Sequence, residues 1–216
     1  MCLKQAIQMA TKDSHPETRQ RLLEAAGEVF AEHGFHDATV REICEKAGAN
    51  VAAAHYHFGD KEELYAAVFD YAKSCAGVEL ETALAGVTDA EERLRVFVHS
   101  YLTHFFDRGR LAWFGKLVAQ EMIQPTKVLD ALVSDRIRPN HERLKEVVRE
   151  IVGADVSDEV LRNCAFSIAA QWTFYFHFGQ VVRRLYPQAQ FDAAEIDRLA
   201  DHITKFCLAA LKEYKA

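Results

Sequence analysis

The stretch TRQRLLEAAGEVFAEHGFHDATVREICEKAGANVAAAHYHFGDKEELY, residues 18–65, decides the fold. Caps and glycines divide it into helices. Thr39-Val-Arg-Glu42 has the form of a capping box, in which a hydroxyl and a carboxylate satisfy orphan amides at a helix start. Val40, Ile43, Cys44 and Ala47 then share one face, and Gly48 supplies the left-handed conformation that ends a helix. Asn50 is a favoured N-cap for the next helix, which runs to about Phe58 before Gly59. Only three residues, Gly48 to Asn50, separate the two helices. A connection this short is the turn of a helix-turn-helix.

Upstream, Ser14-His-Pro-Glu17 is another capping box. It opens a first helix with Leu22, Ala26, Val29, Phe30 and His33 at helical spacing and Gly34 at its end. Phe35 is expected to tuck under the following turn. Downstream, Asp60 and Glu63 cap a fourth helix running to about Leu84, with Leu64, Ala67, Val68, Tyr71 and Cys75 inward and Gly86 at its end. Five further helices follow. One spans about 90–106 with Leu94, Phe97, Val98, Tyr101 and Phe105 in register, and one spans about 111–122. The next runs from about Thr126 to Gly153, kinked or split at Pro139. The eighth, 157–185, is the most apolar. The ninth, 193–214, carries Ile196, Leu199, Ile203, Phe206 and Leu211 inward. The reading is an all-α chain of about nine helices.

Half of the 216 residues are hydrophobic, enough for a small domain and a larger one. Glycine (ten) and proline (four) are scarce, which favours helices. No apolar run approaches the ~18 residues of a membrane span. Residues 1–15 are too polar for a secretory signal, so a soluble, cytoplasmic protein is expected. Five cysteines (Cys2, Cys44, Cys75, Cys164, Cys207) are scattered without a C-x-x-C pair. They read as reduced thiols rather than a disulfide framework or zinc site. The net charge is −6. Acidic side chains outnumber basic ones even from Pro16 to Lys61. Nucleic-acid binding on this balance must draw on a few placed cations and on backbone amides, with strong salt sensitivity. Catalytic signatures are missing from the sequence: there is no Gly-x-Ser-x-Gly, phosphate-binding loop or dinucleotide fingerprint. The histidines at 99, 104, 141, 177 and 202 lack the Glu-x-x-His or His-Glu-x-x-His spacing of a metal centre. No enzyme, metal or cofactor is expected, and Cys164 reads as core.

Thr39-Val-Arg-Glu-Ile-Cys-Glu-Lys-Ala-Gly48 and Tyr56-His-Phe-Gly-Asp-Lys-Glu-Glu-Leu64 together resemble the tetracycline-repressor (TetR) family of bacterial regulators. Gln120-Glu-Met-Ile-Gln-Pro-Thr126 and Asn50-Val-Ala-Ala resemble the CecR-like branch of that family. The resemblance implies a helix-turn-helix DNA-binding domain at 14–62 and a helical ligand-binding and dimerisation domain at 63–216. It also implies a homodimer on a palindromic operator, with one DNA reader per subunit. A small-molecule inducer changes the separation of the readers and releases the DNA. The residues themselves leave repression or activation open.

On this reading Asn50, Val51, Ala52 and His55 face base edges, Val51 and Ala52 through apolar contacts such as a thymine methyl. His55 stands where the family usually has tyrosine. Tyr56 and His57 match the family's phosphate-contacting pair. Arg41 matches a base-edge or backbone position, and Thr39 adds a hydroxyl. Lys61 matches a phosphate contact at a helix start, where the helix itself favours an anion. Taken singly each is an ordinary surface or core side chain; their joint spacing carries the assignment. Phe58 is assigned to the core.

The aromatic-rich C-terminal helices suggest a site for an apolar or aromatic effector, lined by Tyr101, His104, Trp113, Phe114, Glu121, Trp172 and Tyr175. The eighth and ninth helices are the expected dimer face, because the apolar body of the eighth is broader than a one-sided core requires. The alternative is that the eighth is simply central in each subunit.

Overall fold

A computed structural model describes residues 14–76, 79–106, 109 and 112–215. These form helices α1 Ser14–Asp37, α2 Val40–Ala47, α3 Val51–Phe58, α4 Lys61–Ala76, α5 Glu79–Leu84, α6 Ala90–Phe106 and α7 Ala112–Ile123. Then come α8 Val128–Leu132, a π turn Val133–Ile137, α9 Arg138–Val152, α10 Asp158–Leu185, α11 Ala193–Leu211 and a 3₁₀ turn Lys212–Tyr214. No strand occurs among the described residues, so the all-α reading holds. The chain forms two compact units: one up to Ala76 plus Lys116–Val128, the other between Ala76 and Gly115 plus Leu129 onward.

In the first unit the predicted caps act as caps. The Thr39 hydroxyl accepts from the Glu42 amide at 3.2 Å, and Asn50 Oδ1 accepts from the Ala53 amide at 2.7 Å. Asp60 Oδ1 takes the Glu63 amide at 2.8 Å. Gly48, at φ 61° and ψ 37°, is left-handed, and its amide reaches back to the carbonyls of Cys44 and Glu45. A β-carbon is disfavoured there, which is why glycine ends α2. Gly34, at φ 80°, kinks the chain rather than stopping it, and helical turns resume to Asp37. Leu22, Phe30, Ile43, Phe58, Leu64 and Val68 are buried together with Tyr65. The Tyr65 ring meets Phe30 edge-on at 4.9 Å and Phe35 at 4.9 Å. His33 departs from the expected apolar face: it is exposed and pairs with Glu42 at 3.0 Å.

In the second unit α6 is the central helix, packed against α5, α9, α10 and α11. Leu94, Phe97 and Leu102 of α6 meet Leu144 and Val148 of α9, Leu161 and Ile168 of α10, and Ile196 and Ile203 of α11. Ser157 caps α10, its side chain accepting from the Val160 amide. Of the helix expected to run to about Leu84, the stretches Lys61–Ala76 and Glu79–Leu84 are helical. Residues 77, 78 and 111 and the side chains of Ser14 and Cys75 lie outside the described residues. Phe206, expected inward, is 57% exposed. Ile203, Cys207 and Leu211 already fill the inward face of α11.

Pro139 lies in an unbroken helical run instead of splitting it. The π turn before it closes with the Arg138 amide on the Val133 carbonyl, five residues back. This extra residue relieves the place where proline lacks an amide and crowds the preceding turn.

Cys207 gives this unit a pH dependence. Burial pushes its thiol up from an ordinary 9.0 to about 11. The unfolded chain then loses this proton before the folded one. Stability is therefore full below pH 9.0 and falls as pH rises toward about 11. Urea unfolding across that interval is expected to be flatter with pH for Cys207→Ala than for the parent. Equal slopes would mean that the thiol ionises as freely in the fold as outside it.

Candidate nucleic-acid interface and effector site

The turn Gly48–Asn50 and helix α3 present one face to solvent. Val51, Ala52, His55 and Tyr56 are all exposed, Tyr56 at 78%. A tyrosine this exposed contributes little to the core. Ala54 and Phe58, on the opposite side, are buried, and Arg19 lies 5.2 Å above the Phe58 ring. Phe58 is therefore core, as assigned.

The Asn50 and Tyr56 positions border a groove of about 420 Å³ together with Ala53, His57, Thr18 and Arg21. Thr18 and Arg21 were not legible as site residues. They belong to α1, and only the packing of α1 on α2 and α3 brings them there. The Arg21 guanidinium donates to the Thr18 hydroxyl at 3.3 Å. This adds a cation and a hydroxyl beside His57 and the turn.

Arg41 extends into solvent with 83% of its side chain exposed, held by Glu45 at 3.0 Å. An exposed pair of this kind contributes little to stability, so the guanidinium can exchange partners at small cost. His55 Nδ1 lies 2.6 Å from the Gly59 carbonyl. A carbonyl only accepts, so Nδ1 carries the hydrogen and Nε2 is left as an acceptor on the neutral ring. Thr39 and Asn50 are engaged as caps.

Lys61, expected at a phosphate, is engaged within the fold. Its ammonium donates to the carbonyls of His36 at 3.0 Å and Ala38 at 2.9 Å, and lies 4.7 Å from the Phe35 ring centre. It thus ties the start of α4 to the carbonyl-rich end of α1. With three donors, one N–H is left over for a phosphate. Lys61→Ala is expected to cost about 1 kcal/mol of stability through the lost carbonyl partners. It should also lower the salt slope of DNA binding by about one unit. An unchanged slope in a salt titration would confine Lys61 to the structural role.

The effector candidates separate. Tyr101, His104, Trp113, Phe114, Trp172 and Tyr175 all belong to the second unit. Tyr101 stacks on Trp172 with centroids 4.8 Å apart, and His104 meets Phe114 edge-on at 5.7 Å. Trp113 stands perpendicular to Phe114, and Tyr175 packs near Phe191 at 6.3 Å. Two polar residues missed in the sequence join them. Asn140 donates to the Tyr101 hydroxyl at 3.0 Å, and Arg136 lies 3.4 Å from His104 Nε2 and 5.5 Å from the Phe114 ring centre. Burial pushes the Tyr101 phenol up, opposed by the Asn140 hydrogen bond and the charges of Arg136 and Arg143.

Glu121 belongs to the first unit. It is fully buried, and each of its oxygens is engaged. Oε2 accepts from Tyr65 at 2.9 Å; Oε1 accepts from the Thr126 amide at 2.6 Å and its hydroxyl at 3.0 Å. Burial first, then the carboxylate, pushes the Tyr65 phenol far above its ordinary range. The neutral tyrosine is therefore the donor.

A capped three-residue turn, an exposed recognition helix and a separate helical unit define a helix-turn-helix regulator of transcription. Comparison with known proteins agrees. Residues 22–68 match the family described as bacterial regulatory proteins, tetR family. Residues 90–211 match the C-terminal domain of the HTH-type transcriptional dual regulator CecR. The chain belongs to the tetR family and is CecR-like in its C-terminal domain.

The CecR of Shigella flexneri is 26% identical over 158 residues, covering 66% of this chain and 68% of that protein. The transcriptional repressor AcnR of Corynebacterium efficiens is 45% identical over 62 residues, 29% of this chain and a third (33%) of the relative. Among solved structures, a transcriptional regulator from Saccharomonospora viridis in complex with choline aligns with TM-score 0.67 at 21% identity, covering 88% of this chain and 95% of that one. At that identity the likeness is one of fold. Relatives of this chain are named as regulators of transcription. No helix among the described residues is long and apolar enough to cross a membrane.

Proposed function

We propose that the protein is a ligand-responsive repressor that binds a palindromic operator as a homodimer and is released by a small-molecule inducer. The observation that carries this is the solvent-facing side of α3, where Val51, Ala52, His55 and Tyr56 stand clear of the core. Thr39, Arg41, Asn50, His57 and Lys61 complete the interface. Residues 14–62 are the reader, working in the cytoplasm, and 63–216 bind effector and partner subunit. Relatives include proteins named repressor, dual regulator and activator; repression is our choice among them.

A stripe on α10 supports dimerisation through α10 and α11, the eighth and ninth helices expected from the sequence. Phe174, Phe178, Val181 and Leu185 recur every three or four residues and are about half exposed or more, as is Phe206 of α11. Apolar area of this extent favours burial against a symmetry mate. A monomer at micromolar concentration in sedimentation would overturn the dimer.

The function is tested by binding to the DNA flanking the protein's own gene, with salt titration and footprinting. Protection of a two-fold site and steep salt dependence are expected. Inducer and DNA should each weaken the other's binding by the same factor. Absence of binding at low salt to any DNA would overturn the reading.

A further inference from the structure

We propose that the groove between α1 and α3 seats a phosphate of the DNA backbone, received by Arg21, Thr18 and the side-chain amide of Asn50. This rests on the reading of α3 as the helix that enters DNA, and it extends the interface to α1. The donors that line the groove, with a guanidinium that no carboxylate neutralises among the described residues, carry the inference.

Thr18 and Arg21, three residues apart, share one side of α1, while Leu22, Leu23, Ala25 and Ala26 are buried. Arg21 is exposed, and its bond to the Thr18 hydroxyl at 3.3 Å uses one of five guanidinium N–H groups. Other cations of the reader are engaged: Arg41 with Glu45, Lys46 with Glu28, Arg19 over the Phe58 ring and Lys61 on two carbonyls. Glu24, one turn on from Arg21, accepts instead from Gln20 and Tyr71. Thr18 accepts from Arg21 and so keeps its own proton to donate. Asn50 Oδ1 is committed to the Ala53 amide, which leaves both hydrogens of Nδ2 for a partner. No Asp or Glu among the described residues lines the groove. It therefore offers a positive fork and neutral donors, and an anion with several acceptor oxygens complements it. A phosphate fits a guanidinium in this way. Because Asn50, Ala53 and Tyr56 border the same groove, that phosphate is one beside the bases α3 meets. A contact of this kind sets the register of the helix and reads no base. On a chain of net charge −6 it also supplies attraction that the overall charge does not.

Fluorescence anisotropy of the full-length protein across a salt series measures this on two probes: an operator duplex located by footprinting and a scrambled duplex of equal length. Arg21→Gln is expected to bind both roughly ten-fold more weakly at low salt, by the same factor, and to lower the salt slope by about one unit per subunit. Arg21→Lys, which keeps the charge without the planar fork, should keep the slope and recover part of the affinity. Circular dichroism should be unchanged in both variants, because the side chain is exposed. Neutral methylphosphonates placed one at a time along the operator locate the contact. At one position per half-site they should weaken the parent and leave Arg21→Gln unaffected. Unchanged affinity and slope in Arg21→Gln, a loss confined to the operator, or no position at which the two proteins differ would overturn the proposal while leaving α3 on DNA. Failure of the parent to bind any duplex at low salt would overturn both readings.

Discussion

Glu121→Ala is expected to destabilise the first unit by about 3 kcal/mol. The carboxylate is fully buried and receives the Tyr65 hydroxyl, the Thr126 amide and the Thr126 hydroxyl. Alanine would orphan these donors where water cannot replace the acceptor, each at about 1–3 kcal/mol, and would leave a cavity. Part of this is returned, because burying a carboxylate is itself costly. For a chain of this size the loss corresponds to a fall in Tm of about 6–12 °C. Glu121→Gln should cost less: its amide oxygen can still accept from one side, but its NH₂ then meets a donor on the other. Tyr65→Phe removes one donor and should cost about 1 kcal/mol. In a double-mutant cycle, Glu121→Ala and Tyr65→Phe should be less than additive. Additive losses would show that the hydrogen bond contributes nothing beyond packing.

The second large effect is on DNA. Ala52→Glu should abolish operator binding while leaving the fold intact. Ala52 is exposed at the second position of α3, so a longer side chain meets no neighbour. A carboxylate in the first turn also complements the positive end of the helix. Against DNA the same carboxylate faces phosphates and acceptor-rich base edges, once in each subunit of a dimer. Affinity is expected to fall by roughly 100-fold or more. Fluorescence anisotropy on an operator duplex, with circular dichroism as the control, measures this. Binding within a few-fold of the parent would mean that α3 does not enter the groove.

Features set by neighbours in the chain were legible before the structure. Thr39, Asn50 and Asp60 each cap a helix by bonding an amide three residues on. Gly48 ends α2 for reasons contained in one residue's backbone. Features that depend on distant packing were not. Glu121 looked like a polar group for a ligand, yet its partner Tyr65 is 56 residues away in sequence. Thr18 and Arg21 border the groove beside Asn50 and Tyr56 only because α1 packs on α2 and α3. Lys61 resembled a phosphate contact, and its carbonyl partners at 36 and 38 lie across the fold. Arg136 carried no signal, because a π turn breaks the 3.6-residue count on which the helical reading rests.

That turn has a consequence for how the chain tolerates length changes. It amounts to one inserted residue that the helix absorbs without being broken. The stretches on either side are out of phase by about 100° relative to an ordinary α-helix. Deleting one residue between Val133 and Ile137 would restore a plain helix and swing α8 around its axis. The Pro139 ring would then press on the carbonyl four residues before it. Relatives without the insertion are therefore expected to show a one-residue gap here, no proline at the position of Pro139, and no arginine turned toward the aromatic cluster.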